Sequence, residues 1–391
     1  MGLDNSKYYL ERDAEILSLQ NKIKKLKETI DIQEDKITLL RTELDAIRQL
    51  DTFNGVDDKL QKDINTAFVN HDYEYLVLSG GGIKGLSFVG ALETLEKYKI
   101  LYDDNNHFKL KGIAATSAGS IIGALYAIGY KSHELKIIIN NIDFEKVVDD
   151  KTGFIRDGIN FLKDWGVCPG DYIREILGDL IKQKTGNPDY TLDDLYHDKK
   201  VKLVIVTTEM CNQKSIYLYA GHPEKKYCNL SIREAIRMSM GIPFLFEPCH
   251  LNDEIFVDGG VLDNFPLHVF DGAYPGDPKA RINECRPNPK VLGIKIMTSD
   301  GQMNYDIVQK QEITSLSQYG FSFVNTFLTE NERRIMTPSF WLRTIILITP
   351  TYSLTKFDLT NEQKKQLVDI GSNSVNDFFI KKSKELNLID K

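Results

Sequence analysis

The apolar residues of the first fifty positions follow a heptad spacing. They alternate three- and four-residue steps, with one polar interruption, in the series Ile16, Leu19, Ile23, Leu26, Ile30, Gln33, Ile37, Leu40, Leu44 and Ile47. This spacing predicts a coiled coil over residues 1–50, and isoleucine at one seam position with leucine at the other is typical of parallel dimers. The alternative is an amphipathic helix that folds back on its own globular domain. We expect residues 51–72 to form a linker.

After the linker, short apolar runs alternate with helical stretches. The runs are the kind that form buried strands: Tyr75–Leu78, Leu110–Thr116, Lys202–Thr207, Val291–Ile296 and Thr344–Ile348. Alternating strands and helices predict an α/β sandwich with a mainly parallel central sheet. We expect the main domain to span residues 73–300, and residues 301–391 to form a C-terminal α/β extension that completes it.

Ser117 lies where a strand is predicted to run directly into a helix. The approach ends at Thr116, and the stretch from Ala118 onward is small and apolar. Such an elbow exposes a hydroxyl above the sheet edge, with the positive end of a helix behind it. The local sequence fits the elbow signature G-x-S-x-G with Gly119 in place and Ala115 at the first glycine position. The alternative is an ordinary N-capping serine.

A glycine run precedes another predicted helix. Glycines let backbone N–H groups converge on an anion, which is either a developing oxyanion or a phosphate. The run also matches G-x-G-x-x-G, the pattern of dinucleotide-binding sites. Such a site also needs an acidic residue about 20 positions later, at the end of the next strand, and this sequence has none there. We therefore prefer an oxyanion hole, formed by Gly80, Gly81, Gly82, Lys84 and Gly85.

Asp258 ends an apolar run and is followed by Gly259 and Gly260. A carboxylate at the end of a buried strand is costly unless it is used or paired, although Asp-Gly is also common in turns. An exposed serine, a glycine loop and a carboxylate that accepts the serine proton are together the components of acyl transfer.

These three motifs, in this order, resemble the patatin-like phospholipase family. The resemblance covers about residues 73–300 and includes Asn264 and Pro266 after the aspartate, and Ala235, Ser239, Ile242, Pro243 and Phe246 before it. It implies a three-layer α/β/α sandwich that hydrolyses ester bonds of phospholipids and other acyl lipids without a cofactor. It also implies that Ser117 is the nucleophile, that Asp258 is a general base acting without a histidine, and that the N–H groups of Gly80 to Gly82 form the oxyanion hole.

Two alternatives compete with a catalytic dyad. The order Ser117, Asp258, His268 is that of an α/β-hydrolase triad, but residues 266–270 look like the start of a packed helix, so we expect His268 to be structural. The second alternative is a non-catalytic lipid-binding or scaffold protein that dimerises through its coiled coil. The remaining histidines show no metal-ligand spacing, and we expect no metal site.

Composition and charge restrict the location and the partners. A net charge of −7 argues against nucleic-acid binding. Five cysteines without a C-x-x-C pair, and no apolar stretch of transmembrane length, predict a cytoplasmic protein. The first six residues match the N-myristoylation pattern at Gly2, and one acyl chain binds membranes only weakly. We therefore expect a homodimer that associates peripherally with its membrane lipid substrate. The sequence names no protein activator.

Overall fold

The structure is a computed structural model that describes residues 58–142, 165–271, 286–298, 337–350 and 359–388, with a few single positions between and before them. These ranges all belong to one compact unit formed by residues 55–298 and 309–391. The coiled coil predicted for residues 1–50 and the lipidation site predicted at Gly2 lie outside the described residues.

A mixed, mostly parallel sheet forms the centre of this unit. Its order is β10-β9-β1-β2-β4-β8-β7, with β5 also paired to β4. The five strands from β10 to β4 are parallel, whereas β5, β7 and β8 run antiparallel to their neighbours. The predicted α/β fold with a mainly parallel sheet is thus confirmed. The strands are β1 Tyr75–Leu78, β2 Gly112–Thr116, β3 Gly166–Cys168, β4 Lys202–Glu209, β5 Lys214–Leu218, β6 Phe244–Phe246, β7 Cys249–Leu251, β8 Glu254–Asp258, β9 Val291–Thr298 and β10 Thr344–Thr349.

Helices connect these strands. The described α-helices are α1 Asp58–Val69, α2 Ser87–Lys97, α3 Ala118–Ala127, α4 Ser132–Asn141, α5 Asp171–Thr185, α6 Leu192–Lys199, α7 Lys225–Cys228, α8 Ile232–Ser239, α9 Pro338–Trp341 and α10 Asn361–Glu385. Three 3₁₀ turns cover Gly82–Leu86, Gly259–Val261 and Leu267–Phe270.

Both faces of the sheet are buried. Leu76 and Leu78 of β1 enter one apolar cluster, whereas Val77 between them enters another. Because successive strand residues point to opposite faces, each face of β1 packs against its own layer. On one of these layers α2 and α10 cross very closely: a Cβ added to Gly90 would lie 1.8 Å from the carbonyl oxygen of Val368.

The linker predicted for residues 51–72 is wrong for residues 58–69, which form α1. Leu60, Ile64 and Phe68 recur every fourth residue and are buried. The Phe68 ring stacks on Phe379 of α10 with centroids 5.2 Å apart. A short amphipathic helix in a charged segment therefore belongs to the core.

The strand register brings the three predicted motifs together. Leu78 at the end of β1 pairs with Ala115, and Thr116 at the end of β2 pairs with Val206 of β4. One residue further along β4, Thr207 pairs with Asp258 of β8. The residues that follow β1 and β2, and the last residue of β8, consequently meet at one edge of the sheet.

Candidate active site

Ser117 occupies a strained turn between β2 and α3. Its backbone dihedrals are φ 52° and ψ −127°, in a region that non-glycine residues rarely adopt. Neighbouring groups hold this conformation: the Ser117 N–H donates to Oγ of Ser239 (2.9 Å), and the Ser117 carbonyl oxygen accepts from the hydroxyl of Ser120 (2.5 Å). The turn has the geometry of a nucleophile elbow.

Two glycines in α3 make room for the elbow. A Cβ on Gly119 would lie 2.4 Å from the carbonyl oxygen of Ser79, so no larger residue fits there. Ala115 carries a methyl group where the elbow signature has glycine. The α3 residue beside it is Gly123, whose added Cβ would lie 3.3 Å from that methyl group. Gly123 therefore explains how the packed elbow accommodates alanine at position 115.

Both carboxylate oxygens of Asp258 have partners. The Ser117 hydroxyl donates to Oδ2 (2.6 Å) and the Gly260 N–H donates to Oδ1 (2.7 Å). The side chain is 2% exposed. Burial raises the pKa of Asp258 to about 6, even though the bonds from Ser117 and Gly260 favour its charged form. Gly259 is needed for packing, because its Cβ would lie 2.3 Å from the carbonyl oxygen of Val206.

The glycine loop lies beside the serine. A Cβ added to Gly80 would be 3.1 Å from Cβ of Ser117 and 2.1 Å from Oδ1 of Asn264. Gly85 packs against the start of α3, where its Cβ would be 2.9 Å from that of Ala118. Close approach to the elbow thus requires glycine at both positions.

The predicted oxyanion donors do not all remain available. The Gly80 N–H donates to the carbonyl oxygen of Asn264 (3.0 Å), so including Gly80 as a donor was wrong. The backbone N–H of Lys84 donates to the Gly81 carbonyl (3.2 Å) within the loop. Gly81 caps the 3₁₀ turn and Gly82 begins it. In a 3₁₀ turn each N–H bonds the carbonyl three residues before it, so the N–H of Gly85 is used inside the turn, whereas the first N–H groups have no partner there. Gly81 and Gly82 are therefore the candidate donors.

His268 has partners other than the Ser117–Asp258 pair. Its Nε2 lies 3.2 Å from the Tyr217 hydroxyl and 3.7 Å from Oδ2 of Asp263. It lies in a 3₁₀ turn, not in the α-helix that its neighbours suggested. Among the residues that the structure describes, no histidine contacts Ser117 or Asp258. Ser117 and Asp258 bond each other directly, and His268 bonds Tyr217 instead.

Two residues of the site had no predicted role. Ser239 holds the backbone of Ser117, and Asn264 contacts the glycine loop through both its carbonyl group and its side chain. Both had entered only as parts of the family resemblance. Ser239 contacts a residue 122 positions away, and no local sequence pattern distinguishes such a serine from other serines at helix ends.

Neither a metal site nor a membrane span is present in the described ranges. Their His, Cys, Asp and Glu side chains form no group of three or more that could hold a metal ion. No helix in these ranges is both long enough and apolar enough to cross a bilayer.

Comparisons with known proteins identify relatives of the chain. It is 28% identical over 309 residues to an uncharacterized protein of Bacillus subtilis, covering 75% of this chain and 94% of that protein. A probable lipid hydrolase of Invertebrate iridescent virus 6 is 27% identical over 198 residues, or 50% of this chain and 63% of the viral protein. Among solved structures, VipD from Legionella pneumophila has a TM-score of 0.49 at 18% identity, covering 79% of this chain and 67% of that chain.

The matching family profile is that of patatin-like phospholipase, and it spans residues 76–271. This range contains the glycine loop, Ser117 and Asp258, and it amounts to half of the chain. The chain belongs to the patatin-like phospholipase family.

Proposed function

We propose that this protein is a serine acyl hydrolase that cleaves ester bonds of phospholipids or other acyl lipids. One observation carries the proposal: the Ser117 hydroxyl donates to the buried carboxylate of Asp258 at 2.6 Å. A nucleophile bonded directly to its base is the minimum requirement for acyl transfer. The lipid class rests on family membership and on the viral relative named as a probable lipid hydrolase.

In the proposed first step, Ser117 Oγ attacks the carbonyl carbon of the ester while Asp258 accepts the hydroxyl proton. Aspartate ordinarily is a weak base, but a pKa of about 6 brings its basicity closer to that needed at neutral pH. The new C–O bond converts the carbonyl oxygen into an oxyanion, to which the N–H groups of Gly81 and Gly82 donate.

The tetrahedral intermediate then collapses and the ester C–O bond breaks. Asp258 returns its proton to the departing alcohol, and the acyl group stays on Ser117. In the second half, Asp258 takes a proton from water, whose oxygen attacks the acyl carbon, and the proton then returns to Ser117 as the fatty acid leaves. One carboxylate thus serves as base and acid in both halves.

The decisive experiment treats the protein with a fluorophosphonate probe and identifies the labelled peptide. We expect a single label on Ser117, and release of fatty acid from phospholipid vesicles in a parallel assay by mass spectrometry. Ser132→Ala is a matched control, because Ser132 is also a buried serine but bonds Glu96, outside the site. Labelling of another residue, or none, would refute the proposal.

The homodimer and the membrane contact are further proposals, and their support comes from the sequence alone. Residues 1–50 carry the heptad spacing, and Gly2 carries the acylation pattern. We propose that residues 1–50 join two copies, so that two weak attachments act together at a membrane. Sedimentation of the full chain tests this: a monomer would rule it out.

A further inference from the structure

The last turn of α8 and the residues after it contact both members of the dyad. Ser239 accepts a hydrogen bond from the N–H of Ser117 at 2.9 Å. Two residues later, the carbonyl oxygen of Gly241 accepts from the N–H of Asp258 at 2.8 Å. One short segment therefore holds the backbone of the nucleophile and the backbone of the base.

The contact with Ser117 acts on a strained residue. Ser117 is buried at φ 52°, and a buried backbone N–H without a partner is costly. Ser239 is completely buried, so water does not compete for its hydroxyl. Its bond therefore stabilises the strained backbone conformation in which Oγ of Ser117 bonds the Asp258 carboxylate.

Arg237 fixes this end of α8 in place. Its buried guanidinium donates from Nη2 to the carbonyl oxygens of Pro169 (2.8 Å) and Glu247 (2.6 Å), which follow β3 and β6. The group also lies over the Phe246 ring, 5.4 Å from its centroid. Glycine at position 170 makes room for this side chain, because a Cβ there would lie 2.5 Å from Nε of Arg237.

We propose that Ser239 is a positioning residue for the proposed hydrolase: through the N–H of Ser117 it holds the elbow so that the nucleophile meets its base. This inference rests on the proposed function. The hydroxyl of Ser239 bonds the backbone N–H of Ser117, and neither the Ser117 hydroxyl nor the Asp258 carboxylate has Ser239 as its partner, so Ser239 acts through the backbone of Ser117. Its loss lowers the rate of acylation and leaves substrate binding intact.

The test compares Ser239→Ala with wild type in full-length protein, using p-nitrophenyl butyrate as substrate. We expect kcat to fall by about tenfold to hundredfold, the range that follows from an unsatisfied buried N–H, with KM changed less than about twofold. The rate of fluorophosphonate labelling at Ser117 should fall by the same factor as kcat, because both measure attack by the same hydroxyl.

The pH–rate profile adds a readout that packing alone would not change. The bond from Ser117 favours the charged form of Asp258, so a displaced Ser117 allows the pKa of Asp258 to rise further. The acid limb of kcat in Ser239→Ala should therefore move to higher pH. Ser239→Thr keeps a hydroxyl acceptor and should recover most of the rate, while Ser239→Cys keeps the volume with a weak acceptor and should be intermediate.

Ser132→Ala is the matched control for the loss of a buried serine hydroxyl elsewhere. A wild-type kcat and labelling rate in Ser239→Ala would overturn the positioning role while leaving the proposed function intact. If kcat fell equally in the alanine, cysteine and threonine variants and the acid limb of the pH–rate profile stayed in place, Ser239 would act only through packing. That result would overturn the positioning role as well. If wild-type Ser117 does not react with the probe, both proposals fail together.

Discussion

Replacement of Asp258 by asparagine should make the protein more stable at neutral pH as it inactivates it. Asp258 is 2% exposed, and its partners are a hydroxyl and a backbone N–H, not a cation. Burying a carboxylate charge is costly, and desolvation accordingly raises its pKa from 3.8 to about 6. Asparagine has nearly the same shape but no charge to bury.

The sign and size of this difference in unfolding free energy follow from proton linkage. The folded state holds the Asp258 proton more tightly than the unfolded chain, so this stabilising contribution is complete below pH 3.8 and is lost as pH rises through 6. A pKa difference of about 2, at about 1.4 kcal/mol per pKa unit, gives about 3 kcal/mol. At pH 8 the ionised aspartate therefore costs up to about 3 kcal/mol of unfolding free energy that asparagine does not.

The assay is urea denaturation of wild type and Asp258→Asn at pH 8 and pH 5. We expect the variant to be more stable at pH 8, and its advantage to shrink by roughly half at pH 5, where folded wild type is mostly protonated. The difference between the two proteins isolates Asp258 from the other titrating groups.

Asp271→Asn is the contrasting control. Asp271 is also buried, but its carboxylate makes two hydrogen bonds with the guanidinium of Arg343, at 2.7 and 2.8 Å. Breaking a buried ion pair leaves an unpaired charge, so this variant should lose about 3–5 kcal/mol. A stability difference between Asp258→Asn and wild type that is the same at pH 5 and pH 8 would refute the reasoning, because it would mean that Asp258 does not titrate as a buried carboxylate.

Four further results are expected. Ser117→Ala and Asp258→Asn should each abolish nearly all esterase activity. The double variant should lose little more, since the two groups act as one unit. If Ser117→Ala kept more than about a tenth of wild-type turnover, Ser117 would not be the nucleophile. In wild type, kcat/KM should fall as the pH is lowered through 6, because protonated Asp258 cannot accept the serine proton. His268→Ala should fold and keep most activity, and a loss like that of Asp258→Asn would restore a histidine base. Phe68→Ala should lower the unfolding free energy by about 3–5 kcal/mol in thermal or urea denaturation, because it removes a buried ring stacked on Phe379.

The placement of Ser117 at a strand-to-helix turn and of Asp258 at a strand end could be predicted because both depend on local sequence. A strand that ends at Thr116 and a helix that starts at Ala118 force a turn at Ser117, whatever the remaining chain does. Glycine at 119 and again after Asp258 marks places where backbones come very close. These are constraints within a few residues, and a sequence pattern records them directly.

The partners of these residues could not be predicted in the same way. The hydroxyl of Ser239 and the carbonyl of Asn264 contact Ser117 and Gly80 only after β1, β2 and α8 have assembled. The same long-range contact to Asn264 removes the Gly80 N–H from the set of oxyanion donors. Helix α1 was missed because a short apolar stripe in a charged segment also fits a linker, and only its contact with α10 distinguishes the two.

The site finally depends on a difference in strand length. β2 ends at Thr116, opposite Val206, whereas β4 continues through Glu209, so its last three residues have no partner in β2 and pair with β8 instead. That overhang carries Asp258 to the level of Ser117.

The register of β8 is fixed by its own sequence. Phe256 is completely buried in the core, and Asp258 lies two residues further on the same face. The hairpin from β7 has the two-residue turn Asn252–Asp253, with Asn252 at φ 55°. A slip of one residue would move Phe256 and Asp258 together to the opposite face. The burial of one phenylalanine therefore also secures the position of the proposed base, and this couples the stability of the core to the geometry of the dyad.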